Sequence, residues 1–500
     1  MSRFLTATLN SPRAILLGLV ALLFMLKGTP VPSGNELIYL LAAYKEWHPD
    51  FLVGDWTFGR PWPEHWLFNQ VAGSLTLVLP LPLLGWLGRL CCWVLGLAGL
   101  LRWGRHLGLS PSGAGLALGL WLTINQTIVG GDWMFKTFEA KSIGYVLFIF
   151  AVDQFLAGRD RRAAALLGLC FSFHPSVGVS AALGFGVALI AGRTQWQRFG
   201  RFVGWTFLWS LPGLIPLLPM LAMPGGADRE TWQLLALIRM PGHLDPLSFL
   251  RREILTTYLL LSLVWFHARQ HPDDHALQFS RWFLTGLGLL FTAGLVARLG
   301  GWYELLQVFP FRMFPLLAPL LFLLQVVRAF RDLLAGWRPS SPVVAFGLLG
   351  LMSLQHPLGR LMDQVSEVRR QAQPPDALAR AFVWVAESTP PAAVVIMPPW
   401  RKESFALARR AQIVNWDAVR YDQAAEWKDR IEALGTPLDR QMPSAALDSI
   451  MQAGYDALSE DAIANVRLRY GGDYLVSRGT YPFKVEFSSG NYRVYRLSAR

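Results

Sequence analysis

Long apolar runs, separated by short polar or basic segments, fill most of the first 360 residues of the chain. A helix needs about twenty consecutive apolar residues to cross a membrane. About eleven runs approach that length. They predict spans near residues 10–28, 86–104, 112–129, 140–157, 161–173, 175–192, 203–223, 250–268, 278–298, 311–329 and 341–356. The short run 161–173 ends at His174-Pro175, which predicts a broken helix there.

The pattern changes after about residue 357, where short apolar strands alternate with amphipathic helices. The predicted helices cover 376–388, 401–410, 423–434, 444–456 and 459–470. The predicted strands cover 393–397, 412–416 and 473–477, followed by a hairpin of 484–488 and 492–497. Strand–helix alternation is typical of an α/β sandwich. The fold class predicted is therefore mainly α: a polytopic membrane domain of residues 1–357, then a soluble α/β domain of residues 358–500.

Composition supports this division. The chain is 53% hydrophobic and only 16% charged, against about 25% charged in a typical soluble domain. That excludes an ordinary soluble enzyme and a disordered protein. The net charge of +12 lies mostly in the membrane part, where it indicates topology and lipid contact rather than nucleic-acid binding. The three cysteines lie in apolar runs and imply no disulfide framework.

Basic residues in the short loops predict the orientation, because cytoplasmic loops carry an excess of Lys and Arg. Those of the first three inside loops are Arg102, Arg105, Arg159, Arg161, Arg162, Arg193, Arg198 and Arg201. They place the N-terminus in the cytoplasm, and an odd number of spans then places the C-terminal domain outside. The long loops 28–85, 130–139, 224–249 and 299–310 fall on the outside, with most carboxylates of the membrane part. Because the varied polar and charged residues are concentrated in the loops of one face, we predict that the functional site lies on that face.

The first outside loop predicts two amphipathic helices lying on the membrane surface. Asn35 is the expected cap of the first helix, whose apolar face carries Leu37, Leu40, Leu41 and Tyr44. A Gly-Asp-Trp turn follows at 54–56, and the second helix covers about 66–81.

This order of elements resembles the GT-C superfamily of polytopic glycosyltransferases, of the protein mannosyltransferase and aminoarabinose transferase type. The similarity continues through Phe138-Glu139-Ala140-Lys141, a Gly-Arg turn at 158–159 and Phe173-His174-Pro175. It covers roughly residues 10–200 by motif and the later spans by architecture. The resemblance implies a divergent bacterial branch located in the inner membrane. It also implies sugar transfer from a polyprenyl-phosphate donor to an acceptor at the outer face, with inversion at the sugar carbon.

GT-C proteins of this type begin the surface helix with an Asp-Glu pair, and their Asp is the catalytic base. Here the matching pair is Asn35-Glu36, and an amide accepts no proton. The resemblance therefore makes Glu36 the first candidate base, followed by Asp55 and Asp132.

The second outside loop carries further candidate residues. Glu139 and Lys141 fall in the first turn of the next span, where the helix dipole favours an acid and disfavours a lysine. Lys141 then indicates either an anionic ligand or a snorkelling lysine paired with Asp132 or Glu139.

Three more outside residues are candidates for contact with substrate. His174 lies at the helix break, and His243 lies in a turn-rich segment beside Asp245. A hydrogen-bonded structural histidine and a capped turn are the alternatives at these positions. Arg312, at the outer end of a span, is the first candidate for the donor phosphate because arginine binds phosphate with two parallel hydrogen bonds. Arg251 and Arg252 come next, and a simple interfacial anchor is the alternative for Arg312.

The sequence requires no metal. No pair of the histidines on the predicted outside face stands at i,i+4, and no Asp-x-Asp occurs in the first loop; a divalent cation, used by some GT-C enzymes, remains open. Protein partners remain open too. Two other functional classes are alternatives to a glycosyltransferase. One is a lipid or solute transporter, which the broken helix would suit. The other is a non-catalytic scaffold that lost its base at Asn35.

Overall fold

A computed structural model describes residues 11–130, 132–222, 228–334, 375–438 and 446–497. The chain is mainly helical and packs as two compact units. Unit 1 draws its described residues from Met1–Pro30, Trp86–Ile215 and Gly242–Gln371. Unit 2 draws them from Val31–Gly85, Pro216–Pro241 and Ala372–Arg500. Unit 2 therefore combines the first outside loop with the C-terminal segment of the chain.

The helices up to residue 334 follow the apolar runs of the sequence. They are α1 Pro12–Lys27, α2 Glu36–Trp47, α3 Trp66–Leu75, α4 Leu81–His106, α5 Pro111–Thr123, α6 Ala140–Leu156, α7 Asp160–Phe173, α8 Pro175–Ala191, α9 Trp196–Ala222, α10 Arg229–Leu234, α11 Pro241–Leu244, α12 Arg251–Arg269, α13 His275–Gly300 and α14 Phe314–Leu334. Each described run predicted as a span coincides with one of them. The run 341–356 and the domain boundary at 357 lie outside the described residues.

Four described helices are long and apolar enough to cross a membrane: Leu81–His106, Trp196–Met220, His275–Gly300 and Phe314–Leu333. Pro175–Ala191 is shorter but also apolar. This supports a membrane protein, whereas the count of eleven spans stays a prediction. Helix α7 shows why, because its 14 residues rise only about 21 Å against a hydrocarbon core of about 30 Å.

The span expected over 112–129 is shorter than predicted. Helix α5 ends at Thr123, and Asn125 and Gln126 have φ of 66° and 70°. The Gln126 side chain accepts hydrogen bonds from Met134 N–H (2.9 Å) and Phe135 N–H (2.8 Å). Its own amide donates to the Phe135 carbonyl at 2.8 Å. One buried side chain thus satisfies three backbone groups of the second outside loop, which explains why the helix stops before it.

Small residues on α4 let this loop approach closely. A Cβ added to Gly88 would lie 2.3 Å from the Phe138 ring, and one added to Gly96 would lie 2.3 Å from the Phe135 ring. Eight residues apart, the two glycines share a helix face. The aromatic anchors Phe135 and Phe138 are buried and position the polar residues between and beside them.

The C-terminal segment of unit 2 forms a mixed five-stranded sheet. Its strands are β1 Val394–Ile396, β2 Ala411–Gln412, β3 Tyr474–Ser477, β4 Lys484–Ser489 and β5 Tyr492–Arg496, in the order β2-β1-β3-β5-β4. Strand β1 pairs in parallel with β2 and β3, and β5 pairs antiparallel with β3 and β4. The accompanying helices are α15 Ala377–Ser388, α16 Ser404–Ala408, α17 Ala424–Ala433, α18 Leu447–Asp456 and α19 Glu460–Tyr470.

Alternate strand residues of this sheet enter two different cores. Val395 packs in one core with Phe382 of α15, and Ile396 packs in the other with Trp427 of α17. Because successive strand side chains point to opposite faces, helices cover the sheet on both sides. The C-terminal segment is therefore the predicted α/β arrangement, although β2 covers only Ala411–Gln412 where 412–416 was expected, and α16 only Ser404–Ala408 where 401–410 was expected.

The first outside loop departs from the sequence expectation. Ile38 and Leu41 of α2 pack with Trp62 and with Phe405 and Ala418 of the C-terminal segment. Within unit 2, protein covers a face of α2 that was expected to lie on the membrane. The stretch 66–81 is a helix only as far as Leu75.

The expected cap of α2 is also different. Asn35 has helical backbone angles and makes no side-chain cap hydrogen bond. The Glu36 carboxylate instead accepts the Ser33 N–H at 3.0 Å. Ser33-x-x-Glu36 is the spacing of a capping box, in which the glutamate reaches back to the chain before the helix.

Candidate active site

Unit 1 holds a buried charge cluster around Asp132. This side chain is only 2% exposed. Its Oδ1 lies 2.7 Å from Lys141 Nζ, and its Oδ2 lies 2.8 Å from Arg312 Nε. The loop 130–139 supplies the carboxylate, the start of α6 supplies the lysine, and the segment before α14 supplies the arginine. The structure thus brings together three of the residues singled out in the sequence.

Lys141 has contacts that explain its place in the first turn of α6. Besides Asp132, its ammonium lies 3.6 Å from Glu139 Oε1 and 4.0 Å from the centroid of the Trp133 ring. The Thr137 hydroxyl donates to the same Glu139 oxygen at 2.9 Å. Two carboxylates and an aromatic face offset the unfavourable helix dipole. The pairing expected as an alternative to a ligand contact is therefore present.

Arg312 joins this cluster to the break between α7 and α8. Its Nη1 donates to Ser176 Oγ at 2.6 Å and lies 3.4 Å from His174 Nε2. His174 Nδ1 accepts the Val177 N–H at 3.4 Å and so caps α8. The predicted helix break is confirmed: α7 ends at Phe173 and α8 begins at Pro175. His174 has a structural role as a cap while its other nitrogen faces the arginine.

Electrostatics keep Asp132 ionised. Burial alone would raise its pKa, but the charges of Lys141 and Arg312, with a smaller effect of His243, hold the pKa well below its usual range. Asp132 and Glu139 formally balance the two cations of the cluster. An anion that enters must therefore exchange with a carboxylate already present.

From the third outside loop, His243 rather than Asp245 contributes to the charge cluster around Asp132. His243 is near enough to act electrostatically on Asp132. Asp245 pairs with Arg298 Nε at 2.8 Å and accepts the Leu247 N–H at 3.1 Å. The capped turn expected as an alternative is therefore what Asp245 forms.

The other two candidate carboxylates belong to unit 2, and both bind backbone. Glu36 is fully buried and accepts the Ser33 N–H. Asp55 is 1% exposed. Its Oδ1 accepts the N–H groups of Thr57 (2.9 Å) and Phe58 (3.0 Å), and its Oδ2 accepts the Gln412 N–H (3.0 Å). Asp55 thereby ties the Gly-Asp-Trp turn to strand β2.

The stability contributed by Asp55 is expected to fall as pH rises from 4 to 6. Burial raises its pKa to about 6, although three backbone N–H groups and Lys45 act in the opposite direction. The unfolded value is about 3.9, so the folded state keeps the proton longer. The contribution of Asp55 to the free energy of unfolding is therefore fully present below pH 4. It decreases by about 3 kcal/mol in total by the time the pH has risen past 6. Melting of the full chain and of Asp55→Asn, compared from pH 4 to 7, tests this; a pH-independent difference would contradict it.

Sequence reasoning missed three residues of the cluster. Ser176 receives the Arg312 hydrogen bond, Trp133 faces Lys141, and Thr137 binds Glu139. Ser176 follows His174-Pro175 directly and Trp133 follows Asp132, so proximity to a named residue was the available signal. Among the described residues, no group of three or more His, Cys, Asp or Glu side chains is arranged to hold a metal ion.

Comparison with known proteins adds information at the level of the fold. Residues 376–434 match a domain of unknown function, DUF6798, and no curated protein matches the chain. One solved structure with a similar fold is that of the archaeal oligosaccharyltransferase AglB from Archaeoglobus fulgidus in complex with an inhibitory peptide and a dolichol-phosphate. It matches with a TM-score of 0.50 and 12% identity, over 93% of this chain and 69% of that chain. The two chains share a fold. At 12% identity the match concerns the fold alone.

Proposed function

We propose that this chain is a GT-C-like membrane glycosyltransferase. It would transfer a sugar from a polyprenyl-phosphate donor to an acceptor hydroxyl at the outer face of a bacterial inner membrane. The observation that carries the proposal is the buried Asp132, held between Lys141 and Arg312 in a chain with an oligosaccharyltransferase fold. Ionisable groups are costly to bury in a membrane protein and commonly mark functional sites.

Arg312 is the donor-phosphate ligand in this proposal. Its guanidinium is a planar fork that matches phosphate oxygens in pairs. The Nε edge faces Asp132 and Nη1 faces Ser176. A phosphate that displaces Asp132 Oδ2 gains the guanidinium while Lys141 continues to hold Oδ1. Exchange of one anion for another avoids leaving a buried arginine without a counter-charge.

Asp132 is the general base in this proposal. Two cations hold its pKa low, which makes it a weak base at rest. When Arg312 turns to the phosphate, one cation leaves the carboxylate and its pKa rises towards the usual range. The carboxylate then accepts the acceptor's hydroxyl proton. The acceptor oxygen bonds to the sugar carbon on the opposite side from the phosphate, and the carbon–oxygen bond to phosphate breaks with its electron pair leaving on the polyprenyl phosphate.

Arg312→Ala is expected to weaken polyprenyl phosphate binding by tenfold or more, because an arginine–phosphate pair is a strong charge-assisted contact. Equilibrium binding of labelled polyprenyl phosphate to the full chain in nanodiscs measures this. Arg328→Ala is a matched control: Arg328 lies on α14, 14 residues or about 21 Å beyond the helix start that follows Arg312, and its Nη1 pairs with Asp274 Oδ2 at 2.6 Å.

Loss of binding in Arg312→Ala with retention in Arg328→Ala supports the donor site. Equal affinity in wild type and Arg312→Ala would remove Arg312 from the site, and no saturable binding by wild type would overturn the donor assignment. Arg312→Lys should bind with intermediate affinity, since it keeps the charge and loses the fork.

A further inference from the structure

Two adjoining cavities in unit 1 lie away from the Asp132 cluster. The first, of about 400 Å³, is lined by Asp160, Arg161, Arg198, Arg201, Phe202 and Trp205. The second, of about 410 Å³, is an apolar groove between α7, α8 and α9. Phe202 lines both. A basic cavity therefore continues directly into an apolar one.

The first cavity carries an excess of positive charge. Arg161 is the second residue of α7 and Arg198 the third residue of α9. Both stand at the positive end of a helix dipole, where cations are disfavoured. Asp160 is the single carboxylate against three guanidinium groups in the lining. An anion bound here would interact favourably with the guanidinium groups and with both helix ends.

The guanidinium groups are held in place around the cavity. Arg198 Nη2 donates to Asp160 Oδ1 at 2.8 Å. The Arg161 guanidinium carbon lies 3.9 Å from the centroid of the Trp205 ring, and Arg201 Nε donates to the Gln197 carbonyl at 3.3 Å. These contacts reduce the side-chain entropy lost when an anion binds. The cavity is thus organised before its ligand arrives.

The apolar groove is open to the surroundings of the helices. A Cβ added to Gly186 on α8 would meet no atom within 4 Å. Val203 and Phe207 on α9 are 47% and 58% exposed. Exposed apolar side chains on helices of a membrane protein face lipid tails at no cost. An acyl chain is the ligand segment that fits such a groove.

We propose that an anionic glycerophospholipid binds across both cavities, with its phosphate among Arg161, Arg198 and Arg201 and an acyl chain in the groove. Basic pockets between membrane helices are known to take lipid headgroups. The three arginines belong to the inside loops predicted from the sequence, so the lipid comes from the cytoplasmic leaflet. The site lies at the beginning of α7, and His174 of the candidate active site follows its other end. It is independent of the proposed sugar transfer and involves no reaction.

Native mass spectrometry of the full chain in detergent, with equal amounts of phosphatidylglycerol and phosphatidylcholine, tests the proposal. Wild type is expected to retain phosphatidylglycerol preferentially. The double variant Arg161→Ala/Arg201→Ala is expected to lose that preference roughly tenfold, because each surface arginine contributes to attraction of anionic lipid. Both side chains are exposed, so the variant should fold. Gly186→Leu fills the groove without touching the arginines and should lower retention several-fold.

Arg102→Ala/Arg105→Ala is the matched control, since it removes two exposed arginines of a predicted inside loop outside both cavities. It should retain the lipid as wild type does. No preference in wild type, or an unchanged preference in Arg161→Ala/Arg201→Ala, would overturn the proposal. Unchanged lipid retention in Gly186→Leu would contradict the assignment of the apolar groove to an acyl chain. Displacement by an equal concentration of inorganic phosphate would indicate a soluble-anion site instead. None of these readouts depends on sugar transfer.

Discussion

Replacement of Asp132 by asparagine is expected to abolish sugar transfer and to destabilise the fold. The variant leaves Lys141 and Arg312 buried with Glu139 as the nearby counter-charge. Loss of one member of a buried ion pair costs about 3–5 kcal/mol. Removal of a general base lowers the rate by roughly 10²–10⁴. Apparent melting temperature and transfer from a panel of polyprenyl-phosphate hexoses measure the two effects separately.

A charge-balanced variant separates catalysis from stability. Asp132→Asn/Lys141→Met removes one anion and one cation together, so it should recover most of the melting temperature while transfer stays abolished. Glu36→Gln tests the rival base and should retain transfer, since Glu36 accepts the Ser33 N–H at the start of α2. Transfer retained in Asp132→Asn but lost in Glu36→Gln would reverse the assignment.

Replacement of Asp55 by alanine is expected to loosen unit 2 strongly. Three backbone N–H groups, of Thr57, Phe58 and Gln412, lose their acceptor in a buried site. Each unsatisfied donor costs about 1–3 kcal/mol, so we expect a loss of about 3 kcal/mol or more. Hydrogen–deuterium exchange should show faster exchange at residues 57–58 and 412, because the hydrogen bonds that protect these amides are gone.

Asp50→Ala is the control for Asp55→Ala. Asp50 is exposed in the same loop, and a surface change of this kind is usually within about 0.5 kcal/mol. Asp55→Asn should be intermediate, since its one oxygen can still serve Thr57 and Phe58 while its amide nitrogen opposes the Gln412 N–H. Undisturbed exchange with lost transfer in Asp55→Ala would mean that Asp55 acts in catalysis instead.

The helices and strands could be predicted because their signals are local. Apolar runs marked the helices of unit 1, and alternating strands with turn residues marked the sheet of unit 2. Errors arose where a polar side chain bound backbone groups outside its own helix. Gln126 ended α5 early because it binds Met134 and Phe135, and the Glu36 contact with Ser33 replaced the expected Asn35 cap.

The candidate site was partly visible in the sequence. Lys141 was singled out because its place in the first helical turn requires a reason, Arg312 as a phosphate ligand and Asp132 as a candidate base. Pairing of Lys141 with Asp132 was one of two alternatives, whereas the pairing of Arg312 with Asp132 was not indicated, since the arginine is distant in the chain from the other two. Asp55 shows the limit more clearly: its partner Gln412 is 357 residues away, and no local pattern indicates such a contact.

The sequence by itself determined the coarse class of this protein, the position of most of its helices and strands, and the charged residues that need partners. Periodicity and charge placement are properties of short segments, so they can be recognised without a fold. The tertiary structure alone decided which carboxylates serve backbone groups and which one faces two cations. It also decided how close the second loop approaches α4, where Gly88 and Gly96 make room for two aromatic rings. Those outcomes depend on packing between segments far apart in the chain, and packing is set by the whole set of side chains at once.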